Sequence, residues 1–254
     1  MIKVGITGQS GFVGTHLFNA LGKQPKKYLR IPFEDCFFED EAKLRNFVRQ
    51  CDVIVHLAAM MRSPIEGMVY ETNMRLVNQI INACEMENVS PALMFASSIQ
   101  EDNGSEYGRC KQEGRRLLTD WAKAHNTGFG GMIFPNLFGP LARPNSHSFI
   151  ATFCYRLTHG EEPKVLVDNT ISLRYIKSLL SEILPMIDDV CQNKSIVNKL
   201  MEPDYQLKVT EVLSILIRFK ETYIEKGEQP ALNTQAEKDL FETFVAYKDK
   251  DYII

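Results

Sequence analysis

The chain of 254 residues holds no apolar run of the roughly 20 residues that a membrane-spanning helix requires. It opens directly on a β-rich segment, Met1-Ile2-Lys3-Val4, so no cleavable signal peptide is expected. An excess of basic residues is missing too: 29 Lys and Arg stand against 32 Asp and Glu, for a net charge of −3. Phosphate backbones and anionic lipids are held by basic surfaces, so neither a nucleic acid nor a membrane is expected as a partner. The six cysteines, at 36, 51, 84, 110, 154 and 191, include no C-x-x-C pair and no metal-ligand spacing. Most lie in apolar stretches, where Cys behaves as a small hydrophobe. The expectation is a cytoplasmic protein with reduced thiols and no bound metal. The sequence also lacks internal repeats and low-complexity tracts.

What is present is ordinary globular material, 44% hydrophobic and 24% charged. Such a length suits one large domain, or a domain with a smaller lobe. Through the first half, short β-rich runs alternate with helical periodicity. Strands are predicted at 3–7, 28–31, 52–57, 92–96 and 131–134, and helices at 12–21, 41–49, 68–87 and 107–125. That alternation builds a parallel sheet with helices on both faces, an α/β doubly wound Rossmann arrangement. Beyond residue 134 the alternation fades, and Pro135, Gly139-Pro140, Pro144, Gly160 and Pro163 mark loops. Helices are predicted at 149–158, 176–190, 211–224 and 236–247. Thr210 is expected to cap the third of these, and Pro185 to kink or break the second.

The first strand runs into Gly8-Gln9-Ser10-Gly11-Phe12-Val13-Gly14, a Gly-x-x-Gly-x-x-Gly turn between a strand and a helix. The glycines permit a tight turn and close backbone approach, and the helix N-terminus offers N–H groups to a pyrophosphate. A lone glycine triplet would be a weak signal. Its place between strand and helix makes it a dinucleotide-binding turn.

The fourth strand ends in Ser97-Ser98, and Tyr107 and Lys111 follow at i and i+4, on one face of the next helix. A parallel sheet delivers strand ends to its carboxyl edge, where ligands bind, so Ser98 is expected to meet Tyr107 there. Free tyrosine titrates near pH 10; an adjacent ammonium and an oxidised nicotinamide are expected to lower that value. Tyr107 then exchanges a proton with a substrate oxygen, Ser98 hydrogen-bonds that oxygen, and Lys111 tunes Tyr107 and holds the cofactor ribose. Each residue alone is commonplace on helices and strand ends. The order of all three behind the glycine turn is what points to catalysis.

Together these residues resemble the extended short-chain dehydrogenases/reductases, the NAD-dependent epimerase/dehydratase family. The similarity continues in Leu57-Ala58-Ala59 after the third strand, in Asn73 on the next helix, and in Pro135-Asn136-Leu137-Phe138-Gly139-Pro140 after the fifth. By that resemblance Leu57, Ala58, Ala59, Asn73 and Pro135 line the cofactor, and Asn136 reaches a nucleotide-sugar. Ser97-Ser98-Ile99-Gln100, Pro144-Asn145 and Ile150-Ala151-Thr152-Phe153-Cys154-Tyr155 are similar to one subgroup. That subgroup is the reductase half of the bifunctional capsular-polysaccharide enzymes on the route to UDP-N-acetyl-L-fucosamine. It implies reduction of the 4-keto group of a UDP-activated 6-deoxy amino sugar for cell-surface polysaccharide, with NADPH. The subgroup's cupin module has no counterpart before Ile254, so its epimerising activity is not expected here. No arginine precedes the Pro-Asn turn, and the family's Tyr-Val-Asp-Asp segment reads Tyr175-Ile176-Lys177-Ser178.

The predicted organisation is a dinucleotide-binding domain over 1–140, to which part of 164–190 returns, and a substrate-binding lobe over 141–254. Arg143, Asn145 and His147 read either as sugar contacts or as a polar surface loop. NADP and NAD both remain open: Glu34 and Asp35 near the end of strand two suit NAD, whereas Arg30 or Arg62 suits NADP. A nucleotide-sugar epimerase or dehydratase on the same site is the alternative enzyme, and a non-catalytic dinucleotide sensor the alternative outside catalysis. Ile99-Gln100 offers no acid beside Ser98, which favours reductase or epimerase over dehydratase. Helices 68–87 and 107–125 are candidates for a homodimer interface, by the family resemblance.

Overall fold

The computed structural model describes residues 1–146 and 148–249. In chain order the elements begin with β1 (Ile2–Thr7), α1 (Phe12–Gly22), β2 (Tyr28–Ile31), a 3-10 turn at Asp35–Glu39, α2 (Glu41–Gln50) and β3 (Val53–His56). Next come α3 (Met68–Glu87), β4 (Ala92–Ser98), α4 (Glu106–Ala124), β5 (Phe129–Phe134), β6 (Asn136–Phe138) and α5 (Phe149–Thr158). The chain continues through β7 (Thr170–Tyr175), α6 (Ile176–Cys191), β8 (Ile196–Leu200), β9 (Tyr205–Lys208), α7 (Val209–Phe219), a π-helical turn at Lys220–Glu225 and α8 (Gln235–Val245). The division into two compact units falls at Phe134/Pro135 rather than at 140. One unit comprises Met1–Phe134 with Leu180–Met201, and the other Pro135–Leu179 with Glu202–Ile254. The segment that rejoins the first unit is 180–201, whose first part, 180–190, lies within the expected 164–190.

The first unit is built on a six-stranded sheet, order β2-β1-β3-β4-β5-β8, with every pair parallel. Its central strands are buried on both faces, which is why β3 and β4 read as apolar runs without alternation up to His56 and Ser97-Ser98 at their ends. From β1 the chain crosses through α1 to β2 on one side, and from β2 through α2 to β3 on the other. Right-handed crossovers therefore put α1 and α2 on opposite faces. Phe47 and Val48 of α2, Leu76, Val77 and Ile80 of α3, and Leu118 and Trp121 of α4 form one core with Ile54, Leu93 and Phe95. The apolar sides of α3 and α4 are thus consumed within the unit, leaving groups such as Arg116 and Asp120 exposed.

Two expectations for the later helices are corrected. Helix α6 runs unbroken through Pro185. Ile183, Met186, Ile187 and Val190 around it are all buried, so packing outweighs the lost backbone hydrogen bond. Lys208, not Thr210, precedes α7, and its backbone N–H donates to Glu211 at 2.7 Å. Thr210 turns instead to Asp168, through both its N–H (3.0 Å) and its hydroxyl (2.9 Å).

In the second unit β7 lies between β6, parallel, and β9, antiparallel. Strands β6 to β9 are absent from the predicted elements. Each is three to six residues long and partly exposed, too short for a period of two to stand out. Among the described residues no helix is long and apolar enough to cross a membrane, and no cluster of ligating side chains could hold a metal ion. Cys51, Cys84, Cys110 and Cys154 are buried, Cys191 is half-buried and Cys36 exposed.

Candidate active site

Strand β1 has β2 on one side and β3 on the other, so the strand order reverses between β1 and β3. The carboxyl ends of two such strands bound the crevice where α/β sheets take ligands. Gly8 leaves β1 at φ 70°, and a Cβ there would stand 2.8 Å from the Ala58 nitrogen, so both conformation and space demand glycine. A Cβ on Gly14 would lie 2.2 Å from the Gly8 carbonyl oxygen. The bare backbone lets α1 start tight against the turn. Gly11 donates to the Gly8 carbonyl at 3.0 Å and precedes Phe12 with no side chain capping the helix. The first-turn N–H groups, Phe12 to Gly14, thus have no intrahelical acceptor, and they carry the positive end of the helix dipole. Free N–H donors and a positive dipole end are the groups that a pyrophosphate needs.

The loop after β3 is bound to that turn. Leu57 N–H donates to the Thr7 carbonyl at 3.2 Å, Ala58 N–H to the Thr7 hydroxyl at 3.4 Å, and Thr7 Oγ1 lies 2.6 Å from His56 Nδ1. His56 is buried; burial and then Lys111 push its pKa down to about 3, so the imidazole is neutral. Asn73 stands in the second turn of α3. Its amide nitrogen donates to the Met60 and Val69 carbonyls at 2.8 Å each, and its oxygen accepts from Met60 N–H at 2.9 Å. Its polar atoms brace the Ala59–Met60 loop against α3.

At the end of β2, the Ser10 hydroxyl donates to Asp35 Oδ2 at 2.9 Å, and Phe33 N–H donates to the Gln9 side-chain oxygen at 3.2 Å. Asp35 is thereby fastened to the glycine turn, with its carboxylate exposed. Arg30 lies over the Phe18 ring, 4.3 Å from its centroid, on the flank of α1, and Arg62 is exposed in the loop after β3.

Ser98 closes β4, where its hydroxyl accepts from Gln100 N–H at 3.2 Å and its carbonyl from Glu101 N–H at 3.1 Å. Ser105 caps α4 by accepting from Gly108 N–H at 3.0 Å. A Cβ on Gly108 would stand 2.1 Å from the Gln100 carbonyl oxygen. Only glycine lets the first turn of α4 press against the turn leaving β4, and this close approach brings the Ser98 and Tyr107 segments together. Tyr107 is half-buried and Lys111 fully buried, with the Lys111 ammonium 5.5 Å from the Tyr107 ring centroid and 4.8 Å from that of Phe95. Burial pushes Lys111 down to about 8, against the opposing pull of Cys110 and Glu101.

In the second unit Pro135 is buried, and Asn136 donates from its side chain to the Ser172 carbonyl at 3.3 Å. Arg143 is exposed. Asn145 adopts φ 57° and donates its N–H to Thr152 at 2.9 Å. His147 lies outside the described residues.

The model of the NAD dependent epimerase/dehydratase family matches residues 4–176. The chain belongs to that family. Among curated proteins, it is 29% identical over 227 residues to the UDP-2-acetamido-2,6-beta-L-arabino-hexul-4-ose reductase of Pseudomonas aeruginosa. That match covers 86% of this chain but spans only 58% of the relative's length. Among solved structures, the capsular polysaccharide assembling protein CapF of Staphylococcus aureus matches at TM-score 0.79 and 27% identity, over 99% of this chain and 67% of that one. The structure of RMD from P. aeruginosa complexed with NADPH shares the fold at TM-score 0.79 and 14% identity, over 98% and 99% of the two chains.

Burial, helped by Cys110, raises Tyr107 to about 12, because removing a phenolate from water is costly. The sequence reading missed Glu101 and Arg115. Glu101 is buried three residues after Ser98 and accepts from the Ser97 hydroxyl and from Arg115 Nε, the latter at 2.8 Å. Burial alone would raise the Glu101 carboxyl, but the hydrogen bonds from Arg115 and Ser97 hold it below its ordinary value. The available signal was an acid in a turn and a base two helical turns beyond Tyr107. Only the fold shows that they meet.

Proposed function

We propose that this chain reduces the 4-keto group of a nucleotide-activated 6-deoxy amino sugar, using NAD(P)H. The observation that carries the reading is the tight seating of α4 on the β4 exit turn through Gly108, which gathers the Ser98, Tyr107 and Lys111 segments at the sheet's carboxyl edge. The glycine cradle opens on the same edge. The turn from Gly8 to Gly14 would hold a nicotinamide dinucleotide, which when bound would provide the hydride for the keto carbon. Tyr107 gives its phenolic proton to the keto oxygen, Ser98 donates a hydrogen bond to that oxygen as charge develops, and Lys111 stabilises the phenolate left behind. A tyrosine held above its ordinary pKa keeps its proton at neutral pH, as an acid for reduction must. The name of the P. aeruginosa relative, a hexul-4-ose reductase, supports this substrate class. So does the lack of an acid at Ile99-Gln100, where a dehydratase would place one.

In this reading the second unit recognises the sugar nucleotide, through Asn136, Arg143 and Asn145. Asp35 tips the cofactor choice toward NADH, because a carboxylate at the end of β2 accepts the ribose hydroxyls and repels a 2′-phosphate. The test is to incubate the purified chain with a UDP-4-keto-6-deoxy amino sugar and either reduced dinucleotide, with Tyr107→Phe as control. Stoichiometric consumption of dinucleotide and sugar, lost in the variant, is expected. Sugar interconversion without net consumption would make the chain an epimerase instead.

A further inference from the structure

Between β4 and α4, over residues 99–105, one residue is buried, and it is the charged one, Glu101. Asp102, Asn103 and Gly104 behind it are exposed. Burying a carboxylate is costly unless its oxygens are satisfied, and here they are. Arg115 Nε donates to Oε1 at 2.8 Å and Nη2 to Oε2, a two-pronged grip that fixes direction as well as distance. The Ser97 hydroxyl donates to Oε1 from the end of β4. An apolar side chain would anchor the loop without the cost of burying charge, so what the ion pair adds is orientation. Arg115 reaches this place across β5, where Gly131 leaves room for it: a Cβ there would stand 3.1 Å from Arg115 Cδ and 2.1 Å from the Val197 carbonyl oxygen. Arg115 Nη1 donates onward to Asn198 of β8.

The same short segment carries Ser98. The Ser98 carbonyl accepts from Glu101 N–H at 3.1 Å, and its hydroxyl from Gln100 N–H at 3.2 Å. Helix α4 therefore holds this turn at two points. One is the backbone contact at Gly108, and the other is the side chain of Arg115, about two helical turns further on. The first contact sets how near the turn lies to the start of α4. The second sets how the turn, and Ser98 with it, is rotated against the helix. We propose that Glu101 and Arg115 are positioning residues for the reduction: their ion pair locks the turn leaving β4 to α4, so that the Ser98 hydroxyl addresses the same substrate oxygen as Tyr107. Neither residue touches substrate in this scheme, and both act through Ser98.

The proposal rests on the reading of Ser98 as a donor to the keto oxygen, and a double-mutant cycle separates the two. Hydride transfer from NADH to a UDP-4-keto-6-deoxy amino sugar is followed in a single turnover, at a temperature where circular dichroism shows each variant folded. Ser98→Ala in the otherwise wild-type chain is expected to slow transfer by roughly 10²-fold, the cost of losing one donor to a developing oxyanion. Glu101→Gln and Arg115→Gln are each expected to slow it by roughly tenfold or more, the effect of a misplaced catalytic group, with NADH affinity by fluorescence titration little changed. In either background the further cost of Ser98→Ala is expected to drop to roughly tenfold or less, because a serine already out of place has less to lose. Partial unfolding would scale every rate and leave the Ser98 factor intact, so lost stability alone cannot produce this pattern. Arg115→Lys, which keeps the charge without the second prong, carries the same cycle if a glutamine variant does not fold. A Ser98→Ala chain as fast as wild type overturns the reading of the site. A Ser98→Ala cost that keeps its wild-type size in the ion-pair variants overturns the positioning role alone.

Discussion

Replacing Asp35 by Asn removes one negative charge at the rim of the glycine turn and little volume. Asp35 lies 2.9 Å from the Ser10 hydroxyl, so a phosphate within reach of Ser10 would sit about one hydrogen-bond length further from the carboxylate. Two unit charges about 6 Å apart in water interact by about 0.7 kcal/mol, and a dianionic 2′-phosphate doubles that repulsion. Asp35 is exposed, so the dielectric of water is the appropriate one, and counter-ions at physiological salt weaken the effect further. The discrimination against NADPH attributable to this carboxylate is then on the order of tenfold, since 1.4 kcal/mol is a factor of ten. Calorimetric titration of wild type and Asp35→Asn with NADH and NADPH, at low and high salt, measures it. The expected outcome is that wild type favours NADH, that the variant binds NADPH roughly tenfold better with NADH little changed, and that the gain shrinks as salt rises. A wild-type chain that prefers NADPH, with a variant indistinguishable from it, would refute the reasoning.

Other substitutions probe the fit of the turns and the buried imidazole. Gly108→Ala places a Cβ 2.1 Å from the Gln100 carbonyl oxygen, a clash expected to cost about 1–3 kcal/mol in chemical denaturation and to abolish turnover. Gly14→Ala, 2.2 Å from the Gly8 carbonyl, is expected to weaken dinucleotide binding in fluorescence titration by prising α1 from its cradle. The unfolded His56 takes up a proton near pH 6.5 but the folded one only near 3, so acid favours the unfolded chain across that window. The contribution is at most about 1.4 kcal/mol per pH unit. His56→Gln keeps a polar partner for Thr7 and should flatten the fall of the urea midpoint between pH 6.5 and 5.

The sheet was legible where burial is two-sided. Val53–Val55 and Ala92–Ala96 are apolar from end to end, and the glycine spacing at 8, 11 and 14 marks the turn between β1 and α1. The short strands were not legible, because Ile196–Leu200 lies at the sheet edge and is largely exposed, so nothing enforces an apolar pattern on it. Pro185 misled for the opposite reason, since a local rule lost to four buried neighbours. At the proposed site, Ser98, Tyr107 and Lys111 stand out in the sequence because a strand end and a helix face impose their spacing. Glu101 and Arg115 do not, since a pair separated by fourteen positions meets only once α4 has docked. The direction of the Tyr107 shift was also hidden, because burial, its main cause, belongs to the packed structure.

The most direct measurement compares wild type with Tyr107→Phe on a UDP-4-keto-6-deoxy amino sugar under single-turnover conditions, with dinucleotide affinity and thermal stability measured alongside. The account predicts that hydride transfer slows by roughly 10²–10⁴-fold, the usual contribution of a positioned acid, while affinity and stability change little. A Tyr107→Phe chain that reduces the sugar at the wild-type rate would contradict it.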